Sequence, residues 1–325
     1  MEIYRKHLDF FNHDVYRTIR KIPLVRKICR KLQWREKKLF FTGGQQKDKV
    51  FYVVRIDPMR EVGVFAYYRY VLGKVRYALE KEYIPVVDMQ NYSNVYTGWP
   101  NTSGQNAWEF FFEQPFGISI NDVRGCKNII LSSIDTYEKN MSFNDYGANK
   151  ELMEQAERYI RFNESLRLRI DEKYKELFTG RGKVCGIKLR GTDYNISKLK
   201  KHAIPPDVED VYDEIEKVIN EVWHEKFDYF FLSTEDQAIL EFMQNKYGNR
   251  LLYLQVERYL PDEIWYNVNK SVEERRKEGI EYCLDVALLA KCNSLIAGRC
   301  QGAGSAVLIN NGQYEHLHVI DRGFF

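Results

Sequence analysis

The feature that most constrains this chain is the alternation of short apolar runs with amphipathic stretches through its second half. Residues 184–189 read as a strand. Ile215, Val218, Ile219, Val222 and Trp223 then recur at spacings of three and four, the stripe of an amphipathic helix. Strands at 229–232, 251–255 and 295–297 alternate with helices at 237–246, 279–291 and 303–309. Such alternation predicts a parallel sheet covered by helices on both faces. The first half repeats the theme less cleanly, with strands at 51–56, 84–88 and 129–134 and a helix over 66–82. Residues 90–118 are aromatic and irregular, with a short helix expected over 106–114, and 149–177 read as one long charged helix between the halves. A length of 325 residues, 44% of them hydrophobic, is enough for two cores.

Charge is unevenly spread. Residues 1–50 hold 14 Lys or Arg against 5 Asp or Glu, so the overall +3 conceals a basic start and an acidic remainder. Residues 1–42 read as one or two basic helices, with Val15, Ile19, Ile22, Leu24, Ile28 and Leu32 among the cations. Two readings are open: a helix resting on an anionic membrane surface, or a solvated helix packed on the body. Residues 42–44 (Thr-Gly-Gly) read as a linker. The six cysteines form no Cys-x-x-Cys pair and no zinc spacing, which fits reduced thiols in a cytosolic protein. No apolar run reaches the ~18 residues a membrane-spanning helix needs. No zinc-finger or RNA-binding signature is present, so nucleic acid is not an expected partner. The expected location is cytoplasmic, with residues 1–42 as a peripheral contact at the inner face of the membrane.

Ligands of open parallel sheets bind beyond the carboxyl ends of the strands. Polar, charged and glycine-rich residues collect there: 190–194 (RGTDY), 233–236 (STED) and 298–304 (GRCQGAG). A glycine-rich turn entering a helix presents main-chain N–H groups at the positive end of the helix dipole, so a diphosphate fits near Cys300, Gln301 and Gly302. The same turn also suits tight strand-to-helix packing. Arg190 offers a bidentate grip on phosphate oxygens, or a surface ion pair. Asp193 orients that arginine or caps the next segment. Asp236 is either a ligand contact or a helix N-cap. Asp285 lies among Leu, Val and Ala, where a carboxylate is costly without a partner. A guanine edge would supply N–H donors to it, and a neighbouring cation is the alternative.

Residues 185–194 (CGIKLRGTDY), 231–237 (FLSTEDQ) and 282–304 (YCLDVALLAKCNSLIAGRCQGAG) resemble the C-terminal motifs of the fucosyltransferase superfamily, which includes α-1,6-, nodulation-factor and protein O-fucosyltransferases. Residues 83–117, with Val86–Met89 (VVDM) and Asn106–Glu109 (NAWE), are similar to a bacterial branch associated with surface polysaccharide synthesis. The resemblance covers roughly residues 50–320. It implies an α/β protein of GT-B architecture: two Rossmann-like domains with the donor site in the C-terminal one. The expected organisation is a basic helical segment over 1–47, an acceptor domain over 48–148, a linking helix over 149–180 and a GDP-sugar domain over 181–325. By resemblance Arg190 contacts the diphosphate, Asp193 closes the same motif, Asp236 falls in a Thr-Asp-Asp-like turn, Asp285 reads guanine and Gln301 meets phosphate. The chain departs from the pattern at Lys188, where the family often has His, at Gly191, often Arg, and at Cys300, often Ser.

The implied activity is transfer of a sugar, fucose by resemblance, from a GDP-sugar to a hydroxyl of a glycan or lipid-linked glycan, with inversion. GDP-sugar is then a co-substrate, and no other cofactor is expected. No persuasive Asp-x-Asp stands at a strand end, so Arg190 and a helix N-terminus are expected to replace a metal. Glu61 is the first candidate for the base and Gly63 for close backbone approach to the donor. Glu109 and Glu113, four apart on the short helix, are candidates for acceptor binding. The competing readings are a different nucleotide-sugar donor, a non-catalytic nucleotide- or glycan-binding protein on the same scaffold, and a membrane-surface module led by the basic segment.

Overall fold

The computed structural model describes residues 36–40, 44–56, 62–91, 94–98, 101, 103–133, 150–191, 204, 207–260 and 270–323. The chain divides into two compact units. One comprises Met1–Asn140, Gln155–Asn163 and Ser271–Gly279, and the other Met141–Glu154, Glu164–Lys270 and Ile280–Phe325.

The first unit holds strands β1 (Lys37–Phe40), β2 (Gln45–Val54), β3 (Ile84–Val87) and β4 (Cys126–Leu131) in the order β1-β4-β2-β3. β2 runs parallel to β3 and β4, while β1 is antiparallel to β4. Pro85 is tolerated because β3 is an edge strand. Helix α1 (Val64–Glu80) buries Val64, Phe65, Tyr68, Val71, Leu72, Val75 and Ala78, a repeat of three and four that fixes one face on the core. Gly63, its N-cap, has an extended backbone. At the carboxyl end of the sheet Arg55 donates from its backbone N to Ser132 Oγ (2.8 Å) and from Nε to Ser132 O (2.8 Å), tying β2 to β4. Asp88 closes β3 by accepting from the N–H groups of Gln90 and Asn91, both at 3.0 Å.

Three expectations change here. Residues 37–40, read as part of a basic helix, form β1, because pairing with β4 outweighs the weak helical pattern of so short a stretch. The rest of that reading, residues 1–35, lies outside the described residues. Of the linker reading over 42–44, residues 42 and 43 lie outside the described residues, while Gly44 is buried against β4, just before β2 begins. The single helix expected over 149–177 is instead α2 (Lys150–Tyr159) and α3 (Glu164–Phe178). Between them the backbone pairs elsewhere: Glu113 N donates to Arg161 O (2.9 Å) and Asn163 N to Phe111 O (3.0 Å). Phe162 stacks on Phe112 with ring centroids 5.4 Å apart. These non-local bonds replace the helical ones.

The second unit is built on β5 (Val184–Lys188), β6 (Tyr229–Ser233), β7 (Leu251–Leu252), β8 (Ser294–Gly298) and β9 (Leu317–Ile320). Their order is β7-β6-β5-β8-β9 and every pairing is parallel. Helices α4 (Val208–Lys217), α5 (Gln237–Tyr247), α6 (Val272–Leu289) and α7 (Gln301–Ile309) cross over between strands. α4 runs on into a π-turn over Val218–Trp223 that ends at His224 with φ 53°, and Trp223 stacks on His316. On β5 the two sides differ. Cys185, Ile187 and Leu189 join one core cluster with Val211, Ile215, Leu240 and Met243. Gly186 faces the other way, where a Cβ would lie 3.1 Å from Leu289 Cδ2 and 3.2 Å from Cys292 Sγ.

α6 starts earlier than the periodicity predicts. Ser271 and Glu274 form a reciprocal cap: Glu274 N donates to Ser271 Oγ (3.2 Å) and Ser271 N to Glu274 Oε2 (2.7 Å). The Ser-x-x-Glu pattern was readable in the sequence. The opening part of α6 belongs to the first unit and the remainder to the second.

Gly44 gives a direct test of the first sheet. A Cβ there would lie 2.6 Å from Lys127 Cα and 2.7 Å from Lys127 N, main-chain atoms that cannot swing away. Gly44→Ala should cost about 1–3 kcal/mol, as overpacking does. A melting temperature equal to wild type would show that β4 yields at this point.

Candidate functional site

The strand order β7-β6-β5-β8-β9 reverses direction between β5 and β8. A crevice opens at such a switch point beyond the carboxyl ends of the two strands. The register shows what meets there: Lys188, the last residue of β5, pairs with Ser233 on β6 and Ala297 on β8. The segments beginning at Leu189, Thr234 and Arg299 therefore leave the sheet along one edge, so Arg190 and the start of α7 emerge from adjacent strands.

The edge carries a charge triad built around buried Lys188. Lys188 is 1% exposed, and its Nζ donates to Ser233 O (3.3 Å) and stands 3.8 Å from Glu235 Oε2. Arg190 Nε lies 3.2 Å from Glu235 Oε1, and the Gly191 N–H donates to that same oxygen (2.9 Å). Burial by itself would raise the Glu235 pKa. Arg190, then Lys188, then the N–H groups of Gly191 and of Glu235 itself outweigh it and hold the carboxyl below its ordinary value. Glu235 is thus an anion between two cations.

Asp285 behaves in the opposite way. It projects from α6, three residues after Tyr282 and four before Leu289, toward the sheet. Its Oδ2 accepts from Ser233 Oγ (3.1 Å), while buried Oδ1 has no hydrogen-bond partner among the described residues. Burial dominates and raises its pKa. Lys188, Arg258 and the Ser233 hydroxyl lower it and Glu281 raises it, leaving it pushed up to about 6. Arg258 is itself half held: its Nη1 and Nη2 donate to Val256 O (3.1 Å) and Leu254 O (2.9 Å), and its buried Nε has no partner among the described residues.

The N-terminus of α7 completes the edge. Cys300 is its N-cap, with Sγ accepting from Ala303 N (3.4 Å). A Cβ on Gly302 would lie 2.1 Å from the Tyr282 hydroxyl oxygen, so a glycine is required for α6 and α7 to approach this closely. The Tyr282 ring also lies 5.2 Å from Lys188 Nζ, a cation–π contact. One tyrosine therefore touches both the β5 terminus and the first turn of α7. Gln301 is exposed there.

Lys188, Arg190, Asp285, Cys300, Gln301 and Gly302 are accordingly brought to one edge. Asp236 is buried and caps α5, its Oδ1 accepting from Ala238 N (2.8 Å) and Ile239 N (3.2 Å). The Cβ that Gly191 lacks would lie 2.0 Å from Asp236 Oδ2, so this cap also sets how closely the chain after β5 can pass. Asp193 and Glu61 lie outside the described residues. Gly63 has open space where a Cβ would stand. The helical pairing expected for Glu109 and Glu113 is corrected. The helix is a single 3₁₀ turn, Ala107–Phe110, so Glu113 lies beyond it and the two do not share a helical face. Glu109 Oε1 accepts from Gln114 Nε2 (2.8 Å), and the Glu113 carbonyl accepts from Trp108 Nε1 (2.9 Å).

Glu235, Ser233, Arg258 and Tyr282 are site residues that pattern reading did not single out. The signal for Glu235 was present: two acids stand side by side after β6, and adjacent residues at a strand end point to opposite sides. Nothing local marks Arg258. Among the described residues, no group of three or more His, Cys, Asp or Glu could hold a metal ion, and no helix is long and apolar enough to cross a membrane. The described cysteines Cys126, Cys185, Cys283, Cys292 and Cys300 are free thiols.

The chain matches no protein-family profile and no curated protein in sequence. Its fold is similar to that of solved structures. One is the NodZ α-1,6-fucosyltransferase soaked with GDP-fucose, at 16% identity and TM-score 0.51, covering 80% of this chain and 92% of that one. Another is NodZ co-crystallised with GDP, at 16% identity and TM-score 0.50, covering 79% of this chain and 91% of that one. The mixed α/β architecture with parallel sheets is therefore the fold of a known fucosyltransferase.

Asp285 supplies a test that needs no ligand. Its folded pKa lies above the unfolded value of about 3.9, so its contribution favours folding below that value and is lost as pH rises through about 6. Lys188, Arg258 and Glu281 are the charged groups acting on it from β5, the segment after β7 and α6. Asp285→Asn should therefore be more stable than wild type at pH 7, by on the order of 1–3 kcal/mol. The difference should shrink toward pH 4 in paired thermal melts. A variant less stable than wild type at pH 7 would contradict this account.

Proposed function

We propose that this chain is a glycosyltransferase that moves fucose from GDP-fucose to a hydroxyl of a glycan or glycolipid acceptor, with inversion and without a metal ion. The observation that carries the reading is that Arg190 and the α7 N-terminus follow adjacent strands at the β5/β8 switch point, on a fold shared with a fucosyltransferase. Sugar transfer passes through an oxocarbenium-like state while negative charge grows on the departing diphosphate. A guanidinium and a helix N-terminus answer that charge.

In this reading the donor belongs to the second unit. Asp285 Oδ1 accepts from the N1–H and N2–H donors of guanine, an edge that matches a buried carboxylate oxygen lacking a partner. Lys188 and Ser233 position that carboxylate, through charge and a hydrogen bond respectively. Arg190 and the main-chain N–H groups at Gln301 and Gly302 take the diphosphate, with Cys300 shaping the turn and Asp193 closing the arginine segment. Asp236 contributes by fixing the turn after β6 rather than by direct contact. The first unit takes the acceptor. Glu61 is the first choice for the base that removes the acceptor proton, with Gly63 beside it, and Glu109 and Glu113 are acceptor contacts.

The test is turnover with GDP-fucose together with nucleotide binding. GDP should raise the melting temperature of the wild type, since a ligand that prefers the folded state must stabilise it. Arg190→Ala should lower kcat/KM by about 30- to 1,000-fold, corresponding to about 2–4 kcal/mol of transition-state stabilisation. A folded Arg190→Ala enzyme with near-normal turnover would remove the assigned role. Asp285→Asn should weaken GDP more than UDP, and equal effects on both would end the guanine assignment. GDP binding without any sugar transfer would point instead to a binding protein on this scaffold.

A further inference from the structure

We propose that Glu235 is a positioning residue for donor binding: it fixes the guanidinium of Arg190 in the orientation that receives the diphosphate. The inference rests on the donor reading above and extends it to a residue that neither the motif pattern nor the fold likeness marks out.

The geometry is specific. Glu235 divides its two oxygens between two cations, Oε1 at 3.2 Å from Arg190 Nε and Oε2 at 3.8 Å from Lys188 Nζ. The Gly191 N–H, next in the chain after Arg190, binds the same Oε1 at 2.9 Å. One carboxylate oxygen thus attracts the side chain of Arg190 and hydrogen-bonds the backbone that follows it. The contact at Nε is ionic: it anchors the inner end of the guanidinium beside Glu235 and so restricts where Nη1 and Nη2 can reach. The Glu235 side chain is 18% exposed and that of Arg190 19%, so water screens the pair little.

Glu235 is itself held rigidly. Its carbonyl accepts from Tyr259 N (2.9 Å), and Tyr259 O accepts from Gln237 N (3.0 Å), so the turn after β6 is pinned on both sides to the segment after β7. Beside it, Asp236 caps α5. Rigid support behind a charged group is what a pre-organised anion site requires, because an arginine that must be ordered on binding spends binding energy on its own conformational entropy. The carboxylate also separates two cations on one side of β5, Lys188 and Arg190, two residues apart.

Because Glu235 acts through Arg190, its effect should appear in recognition of the diphosphate and not of the base. The experiment compares GDP with guanosine by titration calorimetry in wild type, Glu235→Gln, Arg190→Ala and the double variant. In Glu235→Gln the affinity gap between GDP and guanosine should narrow about 10-fold, with guanosine binding unchanged, as for loss of one partner of a buried ion pair. On the Arg190→Ala background the same substitution should add almost nothing, since the two residues act as one unit. A gap equal to wild type in folded Glu235→Gln, or additive effects of the two substitutions, would overturn the proposal. If Glu235→Gln does not fold, Glu235→Asp is read in the same way: it keeps the charge, falls one methylene short of Arg190, and should also narrow the gap. Wild-type protein that binds guanosine and GDP equally would instead end the donor reading, and the two failures are distinguishable.

Discussion

Helix α6 can lie close against β5 because Gly186 has no side chain, and the polar edge of the second sheet depends on that contact. Leu289 Cδ2 and Cys292 Sγ lie only 3.1 and 3.2 Å from the place a Cβ would take. The same helix then places Tyr282 over Lys188 and Asp285 against Ser233. Gly302 repeats the device one layer on, allowing α7 to meet the Tyr282 hydroxyl. Two glycines thus bring three elements within reach of each other, and the charged groups at the strand ends are set by that closeness.

Two buried carboxylates a short distance apart end in opposite electrostatic states. Burial pushes both pKa values up. Glu235 has two cations and two main-chain N–H groups to offset it, and its pKa falls below the ordinary value. Asp285 feels Lys188 and Arg258 but forms one side-chain hydrogen bond, and its pKa rises to about 6. The difference lies first in charge: Arg190 and Lys188 flank Glu235, and main-chain N–H groups add to them. A carboxylate neutralised by its neighbours is a scaffold, whereas a buried carboxylate oxygen without a donor is destabilising until one is supplied. Stability given up at a site in this way is regained when a partner binds.

The first unit shows how non-local backbone pairing overrides local pattern. Residues 37–40 carry no period that separates strand from helix, and β4 decides the matter by pairing with them. The long helix read between the halves is interrupted where residues 161–163 bond to residues 111–113. Conversely, the early start of α6 was written locally in Ser271 and Glu274 and needed no tertiary contact. The first two features are set by partners remote in sequence, and the third by a cap within one turn.

The strands up to β8, the helices between them and the clustering of polar residues after the strands were determined by the sequence alone, whereas β9 (Leu317–Ile320) was not anticipated and is set by its parallel pairing with β8. Periodicity and turn chemistry act over a few residues, so they are legible without a fold. The resemblance of residues 185–194, 231–237 and 282–304 to a family motif also needed no coordinates. Only the tertiary structure decided that Asp236 is the cap and Glu235 the ion partner, that Arg258 stands near Asp285, and that Tyr282 reaches both β5 and α7. Each of those pairings depends on the register of neighbouring strands and the height of a helix above them. These are distances between residues tens of positions apart, and no local pattern encodes them.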